Sequence, residues 1–319
     1  MDFTIEDYDK STNSKEGKIP MKKMKLIAMT LIAALSIGLL AGCGGGGNNE
    51  SSGSEAAEGA ASGGSQSITA SGSTAILPLA KAAADEFKKD NADVSITING
   101  GGSGSGLKQV AEGTVDIGNS DVEASAKLDE SMAKDLVDHK VCVITMVPVI
   151  NKDLAKDVPD VTKEQLKGIF TGKIKNWKEV GGPDEEIVLI VRPKTSGTRA
   201  LFEEYALDGE SGIDGALETD DSGSLLQNIS DQKGAIGYVA YSYLVNNDSV
   251  AALGIDGVKP SLEATYNGEW PIWGYEHMYT KGAPSGVIKD YLDFIMGEAF
   301  GKTLEEKGYN ITSKMKEER

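Results

Sequence analysis

The segment EIVLIVRPKTSGTRALFEEYAL, Glu186 to Leu207, decides the fold. Its apolar run, Ile187 to Val191, reads as a strand buried on both faces. Two arginines then bracket a Ser-Gly-Thr, and a helical pattern follows at once. Two other segments repeat this strand, small-residue loop and helix start: SGSTA (Ser71 to Ala75) and NGGGSGSGLKQ (Asn99 to Gln109). Strands that alternate with helices in this way predict an α/β fold, with parallel sheets flanked by helices.

Working outward, Ile76, Leu79, Ala83 and Phe87 recur at helical spacing, with Pro78 in the first turn, where a missing N–H costs little. VSITI (Val94 to Ile98) alternates like a half-buried strand, and a short helix holds Leu107, Val110 and Ala111. VDIGNSD is a short strand and loop, and Glu123 to Asp138 is expected to be helical. VCVITMVPVI is a buried strand, in which Cys142 reads as a small buried hydrophobe. Thr162-Lys-Glu-Gln165 is a capping box for a helix ending near Gly168. GAIGYVAY and WPIWGYEHMYT read as strands, and GVIKDYLDFIMGEAFGKTLEEKGY as one or two closing helices.

The 319 residues carry a formal net charge of -17 with 2 His and 2 Cys. That balance argues against nucleic acid, which needs a basic face. It leaves almost no material for a zinc site or a Cys/His catalytic pair; no metal, no cofactor and no enzyme activity are expected. MKKMKLIAMTLIAALSIGLLAGC, from Met21, has a basic start, an apolar stretch and then Cys43, the pattern of a lipoprotein signal. Residues 1–20 fit no such signal and read as an over-extended start; 21–42 are the signal peptide. Cys43 is expected to carry diacylglycerol, and 43–67, rich in Gly, Ser and Glu, form a flexible tether. Two acyl chains hold a protein on the cell membrane from outside the cytoplasm.

The three small-residue loops share one chemistry. Small residues let backbone N–H groups converge on a ligand, and a helix N-terminus adds about half a positive charge. Each loop alone is an ordinary helix cap. Three together, with the guanidinium of Arg192, make a cage of donors for an anion. GGGSGSG lacks the Gly-Lys-Ser/Thr ending of a phosphate-binding P-loop, and no Gly-x-Ser-x-Gly elbow with usable His partners is visible.

GSTAILPLAKAAADEF, GGGSGSGLKQVAEGTVDIGNSD, GKIKNW, RPKTSGTR and GAIGYVAY occur in this order, and the chain resembles, from Ile68 to about Tyr309, the substrate-binding lipoproteins of high-affinity ABC-type phosphate importers. The resemblance implies two lobes joined by two hinge strands, with phosphate in the cleft between them. It assigns 68–147 and 272–319 to lobe I and 148–271 to lobe II. It implies Thr74, Ser103, Asp121, Arg192, Ser196, Gly197 and Thr198 as ligand contacts, with Ser73 at a less uniform position. Permease subunits of the transporter are the implied partner, and a monomer is expected. Lys108 and Arg199 fall outside the core contacts and read as surface charge or helix i,i+4 partners.

Arg192 offers a planar fork suited to phosphate oxygens that lysine does not reproduce. Asp121 is the anomaly, a carboxylate in an anion site. It makes sense if the ligand still carries a proton, which the carboxylate accepts; a cap for the following helix is the alternative role. Sulfate has no such proton, and a site built around one hydrogen bond rejects the analogue lacking it by about 10⁴–10⁵. The rival readings are a binding protein for another oxyanion (sulfate, molybdate or a phosphonate), a secreted phosphatase, or a surface adhesin or purely structural lipoprotein.

Overall fold

The computed structural model describes residues 66–319. The expectations for the over-long start, the signal peptide, Cys43 and most of the tether concern residues outside that range. In chain order the elements are β1 (Ser67–Gly72), α1 (Leu77–Asp90), β2 (Ser95–Asn99), α2 (Ser103–Glu112), β3 (Ile117–Ser120), α3 (Glu130–Ala133), β4 (Leu136–Asn151), β5 (Asp160–Val161), α4 (Lys163–Phe170) and β6 (Val188–Val191). They continue with α5 (Gly197–Ala206), β7 (Leu217–Glu218), α6 (Ser222–Asp231), β8 (Ala235–Ala240), β9 (Val250–Ala252), β10 (Gly254–Ile255), α7 (Leu262–Tyr266), β11 (Trp273–Lys281), α8 (Gly286–Met296) and α9 (Gly301–Glu306).

The main sheet runs β2-β1-β3-β11-β4-β8-β6-β7, with β9 also on β4. Within each lobe the βαβ strands are parallel, as in β1 with β2 and β3, and β6 with β7 and β8. The sheet is nevertheless mixed, not purely parallel as the alternation predicts. The long strands β4 and β11 run antiparallel to each other, and to β8 and β3 respectively.

Strand β4 belongs to both lobes. Residues Leu136 to Thr145 pair with β11, and Met146 to Ile150 with β8. The chain crosses a second time just before β11, where the Met146 N–H donates to the Ile272 carbonyl at 2.8 Å. The Trp270 indole N–H donates to the Met146 carbonyl at 2.9 Å, so the two crossings are tied together. These are the two hinge strands.

The apolar periodicity of α1 is spent on the core of the first lobe. Leu79, Ala83 and Phe87 are buried, and Phe87 meets Tyr291 and Phe294 of α8 edge-on at 5.7 and 5.6 Å. In the second lobe Tyr238 of β8 stacks on Phe202 of α5 at 4.2 Å, with Phe170 of α4 edge-on to Phe202 at 4.6 Å. Burial of each such ring contributes about 1.5–3 kcal/mol. Thr162 and Gln165 form the reciprocal capping box, and α4 runs two residues past Gly168, to Phe170.

The stretch 123–138 is not the helix its composition suggests. It holds a single turn at Ala124–Ala126, the four-residue α3, and then the start of β4 at Leu136. Leu136, Val137 and Asp138 pair with Lys281, Thr280 and Tyr279, and this ladder overrides local propensity.

Helix α2 is pressed onto the sheet through glycine. A Cβ on Gly106 would lie 2.5 Å from the Ser71 carbonyl oxygen, 2.6 Å from Gly72 Cα and 2.9 Å from the Asn119 carbonyl oxygen. All three are backbone and cannot rotate away. Gly106→Ala is therefore expected to cost about 1–3 kcal/mol, a drop in Tm of roughly 2–4 °C per kcal/mol for a domain of this size. A thermal melt indistinguishable from wild type would show that the helix start has slack.

Candidate functional site

The cleft is built where four helices begin. On the first lobe, β1 ends in Gly72 with φ +131°, where a side chain would strike the Asn119 carbonyl. The Ser73 N–H donates to that same carbonyl at 2.9 Å, and Ser73 Oγ accepts from the Ala75 N–H at 3.0 Å. This tight turn presents Thr74 to the cleft. Gly101 and Gly102, at φ +138° and +82°, lead into α2, so that Ser103 opens the helix. Ser103 Oγ accepts the Asp121 N–H at 3.0 Å and fixes the loop that leaves β3.

On the second lobe, β6 delivers Arg192 and Ser196 caps α5 by accepting the Arg199 N–H at 3.3 Å. Gly197 and Thr198 are the first helical residues. The Arg192 guanidinium, 1% exposed, is clamped from behind: Nε donates to the Thr219 carbonyl at 3.0 Å and Nη2 to the Asp220 carbonyl at 2.7 Å. Its Nη1 donates forward to Thr74 Oγ1 at 3.2 Å and Ser222 Oγ at 3.3 Å. The Arg192 N–H rests on the Tyr238 hydroxyl at 3.2 Å; burial pushes that phenol up, so it stays neutral.

The lobes meet across the cleft. Thr198 Oγ1 donates to Asp121 Oδ2 at 2.7 Å, the Gly104 N–H to the Thr195 carbonyl at 3.1 Å, and Lys127 Nζ to the Lys194 carbonyl at 2.9 Å. Burial lowers the Lys127 ammonium, against the pull of Asp121. Thr74 is gripped from the second lobe too, since the Tyr243 hydroxyl donates to its carbonyl at 2.7 Å.

All eight residues predicted at the site are buried in this cleft, in two adjoining groups. One surrounds the Arg192 fork with Thr74; the other joins Ser103, Asp121 and Thr198, with Ser73 leading from one to the other. Ser196 accepts as a helix cap, which leaves its hydroxyl hydrogen to donate. Asp121 caps no helix: the turn after it starts from Glu123 without a side-chain cap. Lys108 and Arg199 pair with Glu112 at 3.8 Å and Glu203 at 2.8 Å, each at i,i+4. Cys142 is fully buried, and burial raises its thiol well above the ordinary range.

Two members escaped the sequence reading. Ser222 opens α6 behind the Asp221 cap, a fourth helix start of the same kind in TDDSGSLLQ, but the strand before it is only Leu217–Glu218. Glu276, in the middle of β11, reads as the polar half of an alternating strand, yet it is 0% exposed and faces Ser73 Oγ at 3.4 Å. Among the described residues no group of His, Cys, Asp and Glu is placed to hold a metal ion. None of the described helices is long and apolar enough to cross a membrane.

Residues 55–299 match the PBP superfamily domain. The chain is 48% identical to the phosphate-binding protein PstS of Bacillus subtilis, over 93% of this chain and 97% of that one. Among solved structures it is similar to a phosphate ABC transporter substrate-binding protein from Clostridium perfringens with bound phosphate (TM-score 0.71, 31% identity, 77% of this chain and 99% of that one). An ABC-type phosphate transport receptor from Vibrio cholerae gives a TM-score of 0.60 at 25% identity, covering 76% and 99% of the two chains. With a shared superfamily domain and a near-complete match to such a relative, the chain belongs to the family of substrate-binding proteins of ABC-type phosphate transporters.

Proposed function

We propose that this protein captures inorganic phosphate outside the cytoplasm, closes on it by hinge motion, and hands it to an ABC importer without covalent chemistry. The observation that carries the reading is the pairing of opposites in one buried cleft. A carboxylate, Asp121, sits 2.7 Å from the Thr198 hydroxyl, while the guanidinium of Arg192 and the helix starts at Ser103, Gly197 and Ser222 supply donors. Donors alone suit any oxyanion. A carboxylate among them suits one that still bears hydrogen, because it accepts from P–OH and repels a bare oxygen. The relatives named above as phosphate-binding support the same choice.

In this reading the first lobe is 68–147 with 272–319, the second is 148–271, and the ligand draws contacts from both. Differential contact with the closed form is what a ligand needs to drive closure. Ser73, Thr74, Ser103, Asp121, Arg192, Ser196, Gly197 and Thr198 are the proposed contacts, to which Ser222 is added. The protein acts as a monomer, held at the membrane by lipid on Cys43, and recognises permease subunits when closed.

Titration calorimetry with phosphate and then sulfate tests the reading. Phosphate is expected to win clearly, and Asp121→Asn to narrow the ratio by about tenfold or more, the worth of one hydrogen bond to a charged acceptor. Equal affinities in the wild type would remove the role given to Asp121. Turnover of a phosphate ester that copurifies with the protein would favour an enzyme instead.

A further inference from the structure

Behind the ligand-facing side of Asp121 lies a second carboxyl, Glu276, with one oxygen that finds no donor. The antiparallel register of β11 on β3 sets His277 opposite Ser120 and Met278 opposite Asn119, so Glu276 comes next to Asp121. The two side chains lie within hydrogen-bonding reach of each other. Asp121 Oδ1 and Glu276 Oε2 are both fully buried, and neither finds a protein donor. Two neighbouring carboxylates cannot both be ionised away from water without a heavy cost. One hydrogen between them resolves both orphans at once.

We propose that Glu276 and Asp121 share one proton, with Glu276 as the donor to Asp121 Oδ1, and that Glu276 is thereby the positioning residue that holds Asp121 as an ionised acceptor for the ligand's hydrogen. The surroundings decide which carboxyl keeps the proton. Asp121 Oδ2 accepts the Thr198 hydroxyl at 2.7 Å, and Lys127 acts on it electrostatically. Glu276 has only the Ser73 hydroxyl at 3.4 Å. No cation acts on it: Cys142 lies opposite it on β4, and Tyr309 donates its hydroxyl to the Ala75 carbonyl at 2.6 Å, each kept neutral by burial. Burial first, and then the Asp121 charge, hold Glu276 well above the usual carboxylate range. The inference rests on the proposed role of Asp121 toward phosphate, but the shared proton itself does not depend on any ligand.

The linkage follows from the direction of that shift. An unfolded chain releases the Glu276 proton near pH 4.3, whereas the folded one keeps it. The native state then binds more protons, and stability falls as pH rises above that value until the buried group ionises. Glu276→Gln keeps a donor to Asp121 without titrating. Relative to wild type its folding equilibrium should gain up to tenfold per pH unit above about 4.3.

The test is infrared difference spectroscopy of the full protein without phosphate at neutral pH, beside denaturant melts across pH and phosphate calorimetry. A protonated carboxyl C=O band is expected in the wild type and absent from Glu276→Gln. Glu276→Leu, which removes the donor, should weaken phosphate binding roughly tenfold, and Glu276→Gln should recover most of that loss. A wild type without the band, or a band that survives in Glu276→Gln, overturns the pair whatever the phosphate affinity. A band that behaves as expected in a protein blind to phosphate keeps the pair and rejects the phosphate reading instead.

Discussion

Arg192→Lys is expected to weaken phosphate binding by about 10²–10⁴-fold. The guanidinium is held by the Thr219 and Asp220 carbonyls on one side while its Nη1 reaches the Thr74 and Ser222 hydroxyls on the other. A lysine brings the charge but only three donors on one nitrogen, and it cannot satisfy the rear clamp and the cleft together. Losing two charge-assisted hydrogen bonds at about 1.5–3 kcal/mol each gives roughly 3–6 kcal/mol, and each 1.4 kcal/mol is tenfold in affinity. Calorimetry on a variant whose circular dichroism matches wild type measures the loss. A change below about tenfold would place the phosphate elsewhere.

Gly197→Ala is expected to cost about 10²-fold or more in affinity while leaving each lobe folded. The glycine lies at the first turn of α5, on the second lobe, and its φ is one that any residue adopts. What it faces is the first lobe: a Cβ there would overlap Ser103 Oγ and come within 2.9 Å of Asp121 Cβ. Alanine suits a helix at least as well as glycine, so the second lobe loses nothing. Overpacking of about 1–3 kcal/mol falls on the closed form alone, and displacement of Ser103 and Asp121 adds the loss of their contacts. Small-angle scattering with phosphate reads the jam as a failure to compact. A variant that binds and compacts like wild type would show that the two lobes have room to spare at this seam.

The local elements were legible where the pattern was long or the cap explicit. The spacing of Leu79, Ala83 and Phe87 gave α1, and Thr162 with Gln165 gave the start of α4. The small-residue loops were legible as helix starts, and the structure gathers them with Arg192 and Asp121 into one buried cleft. What hid from the sequence was anything fixed by distant partners. Leu136 to Asp138 look helical until β11 offers them a ladder. The antiparallel runs of β4 and β11 contradict the alternation rule because the chain returns through the hinge. Ser222 follows a strand too short to announce itself, and Glu276 looks solvent-facing because nothing local reveals that Asp121 and Ser73 cover it.

Strand β4 is laced into both halves of the sheet, with its register held by β11 on one side and β8 on the other. A ribbon anchored this way twists and flexes readily but does not slip lengthwise, since slippage would break every rung and turn each side chain to the wrong face. The two halves of the molecule therefore turn about this strand more readily than they slide along it. In the proposed cycle, a turn that closes the cleft also resets the outer rims, so a surface touching both rims would meet a different shape in the loaded protein.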